Sequence, residues 1–148
     1  MELPIIEFRG KRLDNGEWVY GNLVSDGKRY FIIYDNDITE CTRYGERYIE
    51  ASRYFEVDPE TVGQCTGLKD KNGTDIYEGN IVKIFGISYS GYNHGYTQQI
   101  VSVSWDAEKM CFMCGKSKSL YNYLTISWAK IEVIGNIYDN PELLKSVN

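Results

Sequence analysis

A chain of 148 residues is long enough for one globular domain to bury a core without disulfides or metal. Hydrophobic residues at 43% and charged residues at 25% exclude a disordered chain, and thirteen tyrosines are the one departure from ordinary globular composition. A formal net charge of −5 leaves no electrostatic footprint for nonspecific binding to duplex DNA, which depends on Lys and Arg displacing counterions from phosphates.

In chain order, "MELPIIEFRG" carries Glu2 where a secretory signal would carry a basic region, and Pro4 and Glu7 interrupt its apolar run. The expectation is a cytoplasmic protein. No apolar run approaches the roughly 20 residues that cross a bilayer, so no membrane role is expected. In a reducing compartment Cys41, Cys65, Cys111 and Cys114 are expected to be thiols that pack in the core.

"FRGKRLDNGEWVYGNLV" places apolar residues on both sides of Asp14-Asn15-Gly16, and Asn-Gly supplies the positive φ angles of a tight hairpin. Ser25-Asp26-Gly27 then turns the chain into "KRYFIIYDN", which extends the hairpin to a meander. Residues 39–57 are polar and aromatic without a period, and either a strand with a long loop or an irregular excursion fits them. Asp58-Pro59 marks a turn. Lys71-Asn72-Gly73 is a further Asn-Gly turn, and Gly79 leads into "NIVKIFG", a strand with apolar groups on both faces. "GISYSGYNHGY" (residues 86–96) reads as a long hairpin tip. "IVSVSW" alternates, with Val101, Val103 and Trp105 inward. Asp106 to Lys109 turns the chain into "MCFMC", and "IEVIGNIY" closes the series. Asn140-Pro141-Glu142 has the grammar of a helix start, with Asn as cap and Pro at the first position.

The fold expected is therefore mainly β: an antiparallel meander with a small SH3-like or barrel-like part and a short C-terminal helix. One domain spans 1–148, divisible into a hairpin meander at 1–57, a barrel-like part at 58–138 and the terminal helix at 139–148.

The chemistry these residues offer is sparse. His94 is the one imidazole, set between Asn93 and Gly95 in the glycine and tyrosine loop, where a histidine is ordinarily solvent-exposed. "CFMCGK" has the outline of a zinc knuckle, but structural zinc takes four ligands, and Cys41 and Cys65 form no second closely spaced pair. If this segment is a strand, Cys111 and Cys114 face opposite sides. Asp70, Asp75 and Glu78 crowd one hairpin, where turn capping accounts for them better than catalysis. No phosphate-binding glycine loop occurs. No catalytic residue, metal site or cofactor is assigned, a small-molecule substrate is not expected, and the balance leans away from an enzyme. "GNIVKI" at Gly79 to Ile84, followed by Gly86, Gly91 and Gly95, is similar to the KOW-type strand of SH3-like barrels, which keeps nucleic-acid binding as the alternative. Tyr89, Tyr92 and Tyr96 form the candidate interaction surface, because tyrosine combines contact area with a hydroxyl.

Three blocks, "FRGKRLDNGEWVYGNLV" at Phe8 to Val24, "VGQCTGLKDKNGTDIYEGNIVKI" at Val62 to Ile84 and "IEVIGNIYDNPELL" at Ile131 to Leu144, together resemble the YopX family of phage and prophage proteins. The resemblance implies a mostly β protein encoded by a phage or prophage, with no established activity and no catalytic residues to transfer. Two positions depart from the family pattern: Cys65 replaces the usual aromatic before Thr66, and Asn80 the usual acid after Gly79. The function expected is a small cytosolic β module that binds a protein of phage or host, or its own copies. A nucleic-acid accessory role comes second and a metal-dependent hydrolase third.

Overall fold

The computed structural model describes residues 6–90, 93–116, 118–125 and 129–145. The chain is mainly antiparallel β and divides into two units between Cys65 and Thr66.

In the first unit, β1 (Phe8–Lys11) and β2 (Trp18–Ser25) form the expected hairpin, but its connection is wider than a tight Asn-Gly turn: Lys11 is opposite Trp18, the Gly16 amide donates to the Arg12 carbonyl at 2.9 Å, and of Asn15 and Gly16 only Gly16 has a positive φ, +73°. The second turn, at Gly27 (φ +90°), leads to β3 (Tyr30–Ile33). Asp26 organises it by accepting from the amides of Lys28 and Arg29 and from the Arg29 guanidinium, which hold its carboxyl down to about 2. A single 3-10 turn, Asp35–Asp37, precedes β4 (Ile38–Arg43) and β5 (Glu46–Ala51). β6 (Tyr54–Val57) pairs with β3, and a second 3-10 turn at Pro59–Thr61 is capped by Asp58, whose side chain accepts from the Glu60 amide. β7 (Gly63–Lys69) starts beside β1, which gives the order β6-β3-β2-β1-β7. Val19, Ile32 and Val57 are the centre of this unit's core, with Phe8, Leu23, Tyr34, Phe55 and Val62 against them. At Gly21 a Cβ would stand 2.3 Å from the Ile33 carbonyl oxygen, so the β2–β3 ladder requires glycine there.

The second unit starts with the remainder of β7 and its neighbour β8 (Asp75–Tyr77). The turn between them is built by one buried carboxylate. Asp70 accepts from the amides of Asn72 and Thr74 through Oδ1 (2.8 and 2.9 Å) and from the Val133 amide through Oδ2 (3.0 Å). Burial pushes this carboxyl up, but the three backbone donors outweigh it and hold it below the ordinary value. Gly73 has the expected positive φ, +83°. Long strands β9 (Asn80–Ser90) and β10 (Asn93–Asp106) follow, then β11 (Cys111–Cys114), β12 (Lys118–Ser119), helix α1 (Leu120–Thr125) and β13 (Lys130–Asn136).

These strands form one sheet in the order β12-β11-β10-β9-β13. The sheet stays open: among the described residues no pairing joins β12 to β13, so the barrel-like expectation is corrected to an open sheet. α1 supplies the cover that closure would have given, burying Leu120 and Tyr123 with Ile76, Val82, Ile84, Val103, Cys114 and Ile131. The expected hairpin tip at 86–96 is mostly ladder, with Ser90 opposite Asn93. Trp105, expected inward, is 43% exposed and meets Phe112 edge-on at 5.0 Å near the end of the sheet.

Asn80 explains one departure from the family pattern. It is buried, its Oδ1 accepts from the Tyr77 amide at 2.7 Å, and its Nδ2 donates to the Gly135 carbonyl at 3.2 Å. An aspartate could take the first bond but would set a carboxylate against a carbonyl at the second.

The short C-terminal helix is present as a 3-10 helix, Pro141–Leu144, with Asn140 before it and Pro141 at its first position as expected. The Asn140 side chain does not cap it. A bulge between Val133 and Gly135 brings Oδ1 of Asn140 to the Asn136 amide instead, at 3.3 Å.

Candidate interaction surface

Residues 39–57, which have no period in the sequence, contain a largely exposed pair of strands. Among the described residues β4 and β5 pair only with each other, in register from Ile38 opposite Ala51 to Arg43 opposite Glu46. The two-residue turn Tyr44-Gly45 has φ +55° and +82°, the signature of a type I′ turn, whose twist matches that of the strands it joins. Tyrosine is unusual in this conformation, and Tyr44 is 99% exposed.

The base of this arm is clamped. Asp37, with a nearly buried side chain, accepts both Nε and a terminal nitrogen of Arg53 (2.9 and 3.1 Å), and its carbonyl accepts from the Ser52 amide at 2.8 Å. The guanidinium also lies over Tyr34. This fork fixes both ends of the arm where it leaves the rest of the unit.

Beyond the clamp almost nothing is buried. Ile38 and Ile49 are exposed, Ile49 at 73%, and with Glu40, Arg47 and Tyr48 they line an open cleft of about 340 Å³. Glu40 and Arg47 pair across one face. On the other, Cys41 donates to Glu50 at 3.4 Å, and Arg43 lies over the Tyr48 ring. The bond to Glu50 leads the effects that raise the Cys41 thiol above its ordinary value, with burial and the carboxylate charge adding to it. Two apolar side chains on a two-stranded ribbon whose edges have no partner strand among the described residues present both backbone and side chains to an incoming strand.

The tyrosines singled out in the sequence stand elsewhere. Tyr89 is opposite His94 and Tyr96 opposite Ile87 in the β9–β10 ladder, and Tyr92 lies outside the described residues. The geometry neither joins nor separates them as a surface. Cys111 and Cys114 are at the two ends of β11, where alternation sends them to opposite faces: Cys114 into the core and Cys111 toward the Met113 sulfur at 3.7 Å. Burial pushes the Cys114 thiol up to about 12. Asp75 is committed to Lys69 and Asp70 to its turn. Among the described residues no three of His, Cys, Asp and Glu are placed to hold a metal, and no helix is long and apolar enough to cross a membrane.

The family model of the YopX protein matches residues 7–145. The chain belongs to the YopX family. It is similar in structure to protein EF1440 from Enterococcus faecalis, known from a crystal structure, with a TM-score of 0.59, 27% sequence identity, and coverage of 95% of this chain and 98% of that one. No curated protein matches the chain.

Proposed function

We propose that this YopX-family chain is a non-catalytic protein-binding module, encoded by a phage or prophage and working in the cytosol of a bacterial host, and that the β4–β5 arm receives an extended strand of its partner. The observation that carries this reading is a clamped hairpin whose outer edges have no backbone partner among the described residues and whose most exposed aliphatic side chain, Ile49, lies on one of those edges. Strand addition takes affinity from backbone bonds and selectivity from alternate side chains.

Ile49→Pro tests the reading. In a two-residue hairpin Arg43 and Glu46 form a hydrogen-bonded pair, so Ile49 directs its N–H outward, and proline removes that donor without removing a bond inside the arm. The wild-type chain and this variant are compared in affinity capture from phage-infected host cells. A protein retained only by the wild type, identified and then bound in purified form, is the expected result. Identical capture by both chains overturns the arm as the binding surface.

A further inference from the structure

The strand that fits the arm is the arm of a second copy. We infer that two molecules associate through their β5 edges, paired antiparallel about a two-fold axis at Ile49; this rests on the strand-addition reading above and names its partner.

The turn fixes which groups are available. With Arg43 and Glu46 hydrogen-bonded across Tyr44-Gly45, alternation makes Cys41–Tyr48 and Thr39–Glu50 bonded pairs as well. On β5 the N–H and C=O groups of Arg47, Ile49 and Ala51 therefore point away from β4. A two-fold axis through the sheet keeps each face on its own side, so it can oppose only residues an even number apart, or a residue and itself.

Few registers satisfy this. An axis at Tyr48 sets Glu46 against Glu50 of the other copy. Axes at Arg47 and Glu50 set like charges directly against each other. The axis at Ile49 opposes Ile49 to Ile49, Arg47 to Ala51 and Tyr48 to Glu50, with no like-charge pair. It also uses all three outward residues of each strand, each opposed pair exchanging both of its backbone bonds. On one face the two isoleucines cover each other, and the Arg47 stem lies along Ala51 of the second copy. On the other face the Tyr48 hydroxyl comes within reach of the Glu50 carboxylate. The β4 edge is less suited, because a two-fold at Glu40 would oppose two carboxylates and one at Cys41 leaves both isoleucines uncovered.

The contact is small, below the roughly 1,200 Å² of a standard stable interface, so the dimer forms and dissociates with concentration. Sedimentation velocity of the full chain over a dilution series is expected to show a monomer–dimer equilibrium. Ile49→Lys, at a side chain 73% exposed, should leave the melting temperature unchanged and raise the dimer Kd by at least about tenfold. Register is read by disulfide formation in a Cys41→Ser background. Tyr48→Cys chains mixed with Glu50→Cys chains should cross-link under mild oxidation, since the two positions form a close, non-hydrogen-bonded pair. Cross-linking of Tyr48→Cys chains with themselves would overturn the Ile49 axis. A dimer indifferent to Ile49→Lys, or a wild-type chain monomeric throughout, would overturn the pairing. In the monomeric case, loss of a captured protein by Ile49→Pro would still support strand addition with a different partner.

Discussion

Removing the Asp70 carboxylate tests whether one side chain organises the second unit. Asp70→Ala withdraws the acceptor from three amides at 2.8, 2.9 and 3.0 Å. Hydrogen bonds to a charged acceptor are each worth about 1.5–3 kcal/mol, but Asn72 and Thr74 are exposed and their amides recover water, whereas the Val133 amide is part-buried. The expected loss is therefore about 2–4 kcal/mol, nearer one full bond than three. At about 4–8 °C per kcal/mol for a unit of this size, thermal unfolding followed by circular dichroism resolves it. Asp70→Asn should fall between, since its Oδ1 keeps the turn while its amide meets the Val133 donor. The sign with pH is fixed. A carboxyl held below its ordinary 3.8 in the folded state stabilises fully above that value, and the contribution disappears as pH falls through the folded value. The wild type should lose stability in that acid window more steeply than Asp70→Ala. Equal melting temperatures at neutral pH, or parallel acid profiles, would refute the argument.

Gly73→Ala should cost about 1 kcal/mol, because its φ is +83° but no atom lies within 4 Å of the added Cβ. Gly21→Ala should cost distinctly more in the same melts, since its Cβ meets the Ile33 carbonyl. Asn80→Asp should lower stability at neutral pH by about 1–3 kcal/mol, read by urea unfolding, through the lost amide donor to Gly135. In timed labelling with a thiol reagent, Cys65 and Cys114, both buried, should react only on unfolding, after Cys41 and Cys111. Fluorescence anisotropy with random-sequence duplex DNA at physiological salt should show no binding, given the net charge of −5.

The turns were legible in the sequence because their chemistry is local. Gly16, Gly27 and Gly73 take the positive φ angles their neighbours imply, and Asp26, Asp58 and Asp106 each accept from amides two or three residues ahead. The arm was not legible, for a physical reason. Alternation in a strand records which face is buried, and β4 and β5 bury neither, so natural selection for a core leaves no period there. Its turn is Tyr-Gly, without the usual Asn or Asp. α1 was missed because six residues cannot display a helical period, although Ser119, whose hydroxyl accepts from the Asn122 amide at 3.3 Å, is an ordinary start signal. The start of the terminal helix was legible at Asn140-Pro141, but not its 3-10 form or the use of the Asn140 side chain, which accepts from the Asn136 amide instead of capping the helix.

The same distinction bears on the blocks that carry the YopX resemblance. Two of them, Val62 to Ile84 and Ile131 to Leu144, are joined across the second unit. Asp70 accepts from Val133, the Lys71 amide donates to the Ile131 carbonyl while its ammonium pairs with Glu132, Asn80 donates to Gly135, and the Gly79 carbonyl accepts from Ile137. The side chains of Asp70, Lys71, Asn80 and Glu132 are thus committed to holding these strands together. The arm at Ile38 to Ala51 lies between the first two blocks, outside all three, and among the described residues none of its side chains belongs to either hydrophobic core. A segment free of folding duties, rigidly clamped and open at its edges is where a partner can be chosen without disturbing the rest of the chain, and that is the physical reason to look for function there.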